Sequence, residues 1–306
     1  MGEPKSGTTA LAQFLGEHPR IGISTPKEPH YFCTDLQAES DTFHGPHNHH
    51  FPIRTLQQYL KCFAPVASKP VWGEGSTHYM SSTTAAANIF DHNPEARIIV
   101  MFRNPVDFIH SLHMQYVNNG SENEPDFEQA LALEPTRKRG EHLPGGVRVP
   151  SHLYYSERIK YAEQLQRFLK VFPQDHVKVV IMEEFNKDNH DTYVEVLDFL
   201  NEYLPPTLPD FKVVHGSKTP RSPRLHRALN HPTLKYGVLK VVGANRYDTI
   251  KDAAARVMLK KQSRVTMDAA LRARLMQEYE PEVRKLAKLL KRPDLPALWG
   301  YPDGAQ

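Results

Sequence analysis

The 306-residue chain holds only two cysteines, Cys33 and Cys62. No disulfide framework comes from two thiols, so the fold rests on a packed core, and a reducing compartment is expected. Long hydrophobic runs are missing too. The longest apolar stretch beside a strand, Ile98-Ile99-Val100-Met101-Phe102, falls far short of the roughly 20 residues that a membrane helix needs. Glu3, Lys5 and Ser6 stand where a secretory leader would be apolar, so no signal peptide is expected and the reading is a soluble, cytoplasmic protein. Charge of one sign is scarce as well: 38 Lys plus Arg against 35 Asp plus Glu leave a formal +3. That balance excludes a polybasic nucleic-acid binder but leaves room for a local basic pocket that takes a small anion.

What the chain does have is an alternation of strand and helix patterns. Hydrophobic residues at 40% exclude a wholly disordered chain. Strands are predicted at residues 21–24, 71–74, 96–102 and 177–182, with helices at 10–16, 56–63, 81–91, 105–117, 154–172 and 192–203. Residues 35–54 read as a loop rich in His, Asn, Pro and Gly, and 135–150 as a mobile basic surface loop. Residues 204–223 read as irregular, and 224–292 as mostly helical. The order implies an α/β fold with a central, mainly parallel sheet flanked by helices. Little precedes the first helix, so the first strand is expected to be largely missing.

Two features point to anion binding. Gly2-x-x-x-x-Gly7-Thr8-Thr9 has the glycine spacing of a nucleotide-binding loop, but Thr8 stands where the lysine of such loops belongs, and the lysine comes earlier, at Lys5. Gly7 lets the backbone approach a ligand. The amides of residues Ser6 to Thr9 face out of a helix start, Thr8 and Thr9 add hydroxyls, and Lys5 adds a full charge. Without the usual lysine a magnesium triphosphate fits poorly. The plain alternative is a capped helix start with an exposed lysine. The second feature is Arg103, at the carboxyl end of the strongest strand, followed eight residues later by Ser111. Ligands of open α/β sheets bind at that edge, and a guanidinium holds phosphate bidentately. Its plain alternative is an arginine paired with a nearby carboxylate and a serine on the helix surface.

Together these residues resemble the sulfotransferases that use 3′-phosphoadenosine 5′-phosphosulfate. Pro4-Lys5-Ser6-Gly7-Thr8-Thr9 is similar to their 5′-phosphosulfate loop, and Arg103 with Ser111 to their 3′-phosphate site. Lys27-Glu28-Pro29-His30-Tyr31-Phe32, Glu74-Gly75-Ser76-Thr77-His78-Tyr79 and Tyr161-x-x-x-Leu165 resemble the heparan-sulfate-type and related bacterial branch. His215-Gly216-Ser217-Lys218-Thr219-Pro220-Arg221 resembles the late loop that covers the nucleotide. The resemblance implies a P-loop-kinase-like three-layer fold in one domain over 1–306, with the donor site in 1–223 and a mostly helical extension over 224–306. It departs in two places: the first strand is nearly absent, and one lysine is missing. The heparan-type enzymes carry a lysine shortly after the glutamate matching Glu74, where this chain has Gly75 and Ser76, and Lys27 is the candidate to supply that charge.

The implied reaction moves a sulfuryl group from 3′-phosphoadenosine 5′-phosphosulfate to a hydroxyl or amine, releasing 3′,5′-adenosine bisphosphate, with no metal required. A glycan is the favoured acceptor, and a small molecule the alternative. Glu28 is the expected base and His30 the runner-up. Lys5 is expected to offset charge on the leaving oxygen, Arg103 and Ser111 to read the 3′-phosphate, and Lys218 and Arg221 to close over it. The competing functions are a P-loop nucleotide kinase and a non-catalytic adenine-nucleotide binder. His44, His47, His49 and His50 lie in a flexible polar stretch unsuited to zinc, which reads as a solvated loop or a lid over the acceptor. Arg137-Lys138-Arg139 reads as surface charge.

Overall fold

The apolar run of residues 98–102 forms a strand and organises the rest of the molecule. In the computed structural model, which describes residues 1–46, 48–211, 218–220, 259–261 and 266–302, Ile98–Phe102 (β3) pairs in parallel with Val177–Ile181 (β4), from Ile98 against Val177 to Phe102 against Ile181. A second parallel pair joins Ile21–Ile23 (β1) to Val71–Gly73 (β2). Ahead of the first helix the backbone runs beside β3. Met101 N–H donates to Met1 O at 3.1 Å, and Gly2 makes a single parallel bridge to Met101. That bridge stands where the first strand of the expected sheet belongs.

Successive strand residues face opposite ways, and β3 uses this to separate two cores. Ile98, Val100 and Phe102 enter a large cluster with the Pro105–Asn119 helix and the Tyr161–Leu169 helix. Met101 enters a smaller one with Leu11, Phe14 and Leu15 of Thr8–Glu17 (α1) and with Tyr193, Val196 and Leu197. Helices therefore cover both faces of the parallel strands, as a hydrophobic strand run requires.

Four expectations need correction. Residues 35–54 are not all loop: a helix spans Thr34–His44. Its weak apolar periodicity hides it, because it is tied down by polar contacts. The Asp35 carboxylate accepts hydrogen bonds from the Ser82 hydroxyl (2.5 Å) and the Thr83 amide (2.6 Å). The single helix expected over 154–172 is two, Tyr155–Arg158 and Tyr161–Leu169. The break turns Arg158 inward, where its guanidinium pairs with fully buried Glu3, and Gln164 Nε2 caps the Glu157 and Arg158 carbonyls at 3.2 and 3.1 Å. Residues 135–150 are not a loose surface loop either. Arg137 is fully buried in an ion pair with Glu122 at 2.7 Å, so the run Arg137-Lys138-Arg139 is not simply surface charge. Finally, Leu259–Lys261, expected to be helical, is a strand antiparallel to Lys218–Pro220.

Residues 212–217, 221–258 and 262–265 lie outside the described residues. Helix is found over Ala269–Leu290. Leu275, Tyr279, Val283 and Leu286 recur at helical spacing and are buried in the same large cluster as β3. Among the described residues no helix is long and apolar enough to cross a membrane.

Candidate active site

The loop before α1 is shaped by two left-handed residues. Lys5 has φ 68° and Gly7 has φ 87°. A Cβ on Gly7 would also meet Met101 Cε at 3.2 Å, so glycine serves both the backbone turn and the close approach to β3. The Ser6 amide closes the turn by donating to Glu3 O at 3.2 Å, which removes it from the set of amides expected to face a ligand. From Thr8 to Ala10 the amides have no acceptor within the helix, and no side chain caps them. With no acidic residue in the first turn of α1, the positive end of the helix is not neutralised from within.

Arg103 follows β3 directly and its Nη1 donates to Lys5 O at 3.2 Å, so the strand end fixes the loop. Burial, reinforced by the Arg103 guanidinium, pushes the Lys5 ammonium below its usual range. Two cations held this close favour an anion between them. Asn104 caps the next helix, its Oδ1 accepting from Val106 and Asp107 amides at 3.0 and 3.3 Å, and Pro105 starts it. That helix carries Ser111 to the same side as Arg103.

Glu28 lies across from the loop. Its Oε1 is 2.7 Å from Lys27 Nζ, and its Oε2 accepts from Thr77 Oγ1 at 3.2 Å and lies 3.4 Å from His30 Nε2. Burial pushes the carboxyl up, but the His30 hydrogen bond and the Lys27 charge outweigh it and hold it at about 2. Burial pushes His30 down, so its imidazole is neutral and Nε2–H donates to the carboxylate. Lys27 Nζ also donates to Thr8 and Thr9 hydroxyls at 3.5 and 3.4 Å. Its stem runs over Gly75, where a Cβ would sit 3.3 Å from Lys27 Cδ and Nζ. Lys27, the candidate for the charge missing from the Gly75-Ser76 stretch, thus packs its side chain directly against Gly75.

One cavity of about 1170 Å³ is lined by Lys5, Gly7, Thr8, Thr9, Glu28, Arg103 and Ser111 together. Ser6 and His30 are not in its lining: both are buried, Ser6 with an unpartnered hydroxyl and His30 behind Glu28. Of the late loop, Lys218 is described only as strand backbone and Arg221 lies outside the described residues. The sequence reading missed other parts of the wall. Arg148, His78 and His152 line it, as does Arg272 of the Ala269–Leu290 helix, paired to Asp107 at 2.5 Å. His50 lines it as well, and His44 Nε2 is 2.7 Å from Val147 O, so this histidine stretch packs against the cavity wall, in contrast to a solvated loop. His47 lies outside the described residues.

The chain is similar to known proteins in sequence and in fold. The sequence profile of the sulfotransferase domain covers residues 1–210. The heparan sulfate glucosamine 3-O-sulfotransferase 6 of Mus musculus is 25% identical over 253 residues, 78% of this chain and 65% of its own length. The Homo sapiens bifunctional heparan sulfate N-deacetylase/N-sulfotransferase 3 is 27% identical over 208 residues, 65% of this chain and 21% of its own. The chain thus spans less than two thirds of either curated relative. A sulfotransferase crystal structure from Alicyclobacillus acidocaldarius superimposes with a TM-score of 0.68 at 25% identity, covering 97% of this chain and 96% of that one.

Proposed function

The chain belongs to the sulfotransferase domain family, and from that premise we propose that it transfers a sulfuryl group from 3′-phosphoadenosine 5′-phosphosulfate to a hydroxyl or amine of a carbohydrate. One observation carries the reading: the anion loop, the Arg103–Ser111 edge and Glu28 share a single cavity. At about 1170 Å³ it exceeds the roughly 300–1,000 Å³ of ordinary ligand pockets, so it has room for a nucleotide and a second reactant. The fit to the donor rests on charge. Lys5 and Arg103 form a cationic pair, and the first amides of α1 add the positive end of a helix dipole.

Each residue then has a task. The amides of Gly7 to Thr9 and the Lys5 ammonium bind the 5′-phosphate and offset the charge that builds on the leaving oxygen. Arg103 and Ser111 bind the 3′-phosphate. When bound, the donor supplies the sulfuryl group, which carries less charge than a phosphoryl. Glu28, ionised and oriented by His30 and Thr77, accepts the proton that the acceptor loses. Lys27 joins the two halves of the site, touching both the base and the threonines of the loop.

Replacing the base is the direct test. Glu28→Gln lowers turnover by about 10²–10⁴-fold, the usual worth of a general base, while calorimetry finds unchanged affinity for 3′,5′-adenosine bisphosphate. Undiminished turnover at saturating donor would remove Glu28 from this role. In the same calorimeter the bisphosphate binds without magnesium and more tightly than ATP with magnesium; the reverse order would support a nucleotide kinase.

A further inference from the structure

The Pro105–Asn119 helix turns more than Ser111 toward the cavity. Asp107, His110, Ser111 and Met114 all line it, at the i, i+3, i+4 and i+7 spacing of one helix face. His110 has no part in the transfer described above. Its half-buried ring packs on Phe127 with centroids 5.2 Å apart, and neither ring nitrogen makes a hydrogen bond to a described residue.

Charges reach this imidazole from three elements. Arg103 at the end of β3 and Arg272 of the Ala269–Leu290 helix act on it as cations, and Asp107, one turn earlier on its own helix, as an anion. His113, one turn later, has its Nε2 2.9 Å from Glu124 O. On the Phe127–Ala132 side, Phe127 offers only its ring, and Glu128 is paired to Arg274 at 2.8 Å. Burial, with His113 and the two guanidiniums, outweighs Asp107 and pushes His110 below its ordinary range, so the ring is neutral at pH 7. The ionised groups here undershoot a 3′-phosphate. Asp107 holds Arg272 at 2.5 Å, so with Lys5 facing the 5′-phosphate, Arg103, Arg272 and Asp107 leave one net positive charge. A phosphate monoester carries about −1.5 to −2 at neutral pH. One proton on His110 brings the two level.

We propose that His110 is a third contact for the 3′-phosphate and takes a proton from solvent when the nucleotide binds, which couples nucleotide affinity to pH. This rests on the donor reading above and adds to it a proton-linked control of binding and release. The balance is simple: solvent gives one proton to the imidazole, and the imidazolium N–H donates to a phosphate oxygen. Because the bound state holds the extra proton, affinity rises as pH falls, by at most about tenfold per pH unit for one proton. A proton taken by Lys5, which burial also pushes down, would follow the 5′-phosphate instead and accompany any 5′-nucleotide.

The test is calorimetry on the full chain at about pH 7.5, where a free phosphate monoester is already almost fully ionised. Titrations in HEPES and in Tris, which differ in ionisation enthalpy, count the protons taken up. 3′,5′-Adenosine bisphosphate binds with net proton uptake, and adenosine 5′-phosphosulfate, which lacks the 3′-phosphate, with clearly less. Bisphosphate affinity rises several-fold from about pH 8.5 to about pH 7. In His110→Gln the extra uptake and that rise both disappear, while the variant still binds the bisphosphate, several-fold more weakly near neutrality. Equal uptake with the two nucleotides, no uptake with either, or unchanged uptake in His110→Gln would overturn the proposal. The two titrations of the unaltered chain decide it even where the variant does not fold. A chain that binds neither nucleotide contradicts the donor reading and this proposal with it, whereas binding without uptake contradicts the proposal alone.

Discussion

At the scale of single residues, the site depends on a carboxylate kept ionised against its own burial. The Glu28 carboxyl is held at about 2, below its ordinary value, by the His30 hydrogen bond and the Lys27 ammonium, which together outweigh burial. A depressed carboxyl favours the folded state above its unfolded value and loses that contribution as pH falls toward 2. The same depression makes Glu28 a weak base, so the account predicts a specific response to removing Lys27. In Lys27→Met the Glu28 carboxyl rises and the acid limb of the pH profile of kcat/KM moves to higher pH, because that profile reports free-enzyme ionisations. An acid limb that stays in place would mean that Lys27 does not act on Glu28. Lys5, Glu28 and Arg103 were legible in the sequence because each belongs to a short local motif. Lys27 was legible only as a candidate, and Arg148 not at all. Arg148 meets His78 across 70 positions of sequence, a contact that only packing reveals.

Secondary-structure elements position these residues through their ends. β3 delivers Arg103 at its carboxyl edge, α1 presents unneutralised amides at its start, and the Asn104 cap aims the helix that carries Ser111. The loop between Gly2 and Thr8 is the most demanding of these junctions. Gly7→Ala places a side chain at φ 87° and 3.2 Å from Met101 Cε. An alanine in that region costs about 1 kcal/mol or more. The account therefore predicts a modest fall in thermal stability and a larger fall in bisphosphate affinity for this variant. Loss of stability with full affinity would show that the loop does not need this conformation to bind. The strands and the helices with strong apolar periodicity were readable from sequence. The Thr34–His44 helix was not, because Asp35 anchors it through hydroxyls and an amide where most helices use an apolar stripe. The break at Ile159-Lys160 was hidden as well, since the burial of Arg158 depends on Glu3, 155 residues away in sequence.

For the molecule as a whole, the arrangement draws on both ends of the chain. The amino-terminal loop, the middle strand β3 and the Ala269–Leu290 helix all contribute to one cavity, the last through Arg272 and its bond to Asp107. The sequence reading assigned the donor site to 1–223 alone. The described structure extends the cavity wall to Thr266, Met267 and Arg272, which no local motif announces. The α/β class with parallel strands was legible because its strands are short, apolar and separated by helices. The central claim is that opposite ends of this cavity hold the two phosphates of one adenosine nucleotide. Calorimetry with Arg103→Ala tests it most directly, comparing 3′,5′-adenosine bisphosphate with adenosine 5′-phosphosulfate, which lacks the 3′-phosphate. The account predicts that the variant loses about tenfold or more in affinity for the bisphosphate, as expected for a charge-assisted contact, and little for the phosphosulfate; equal losses on both ligands would contradict it.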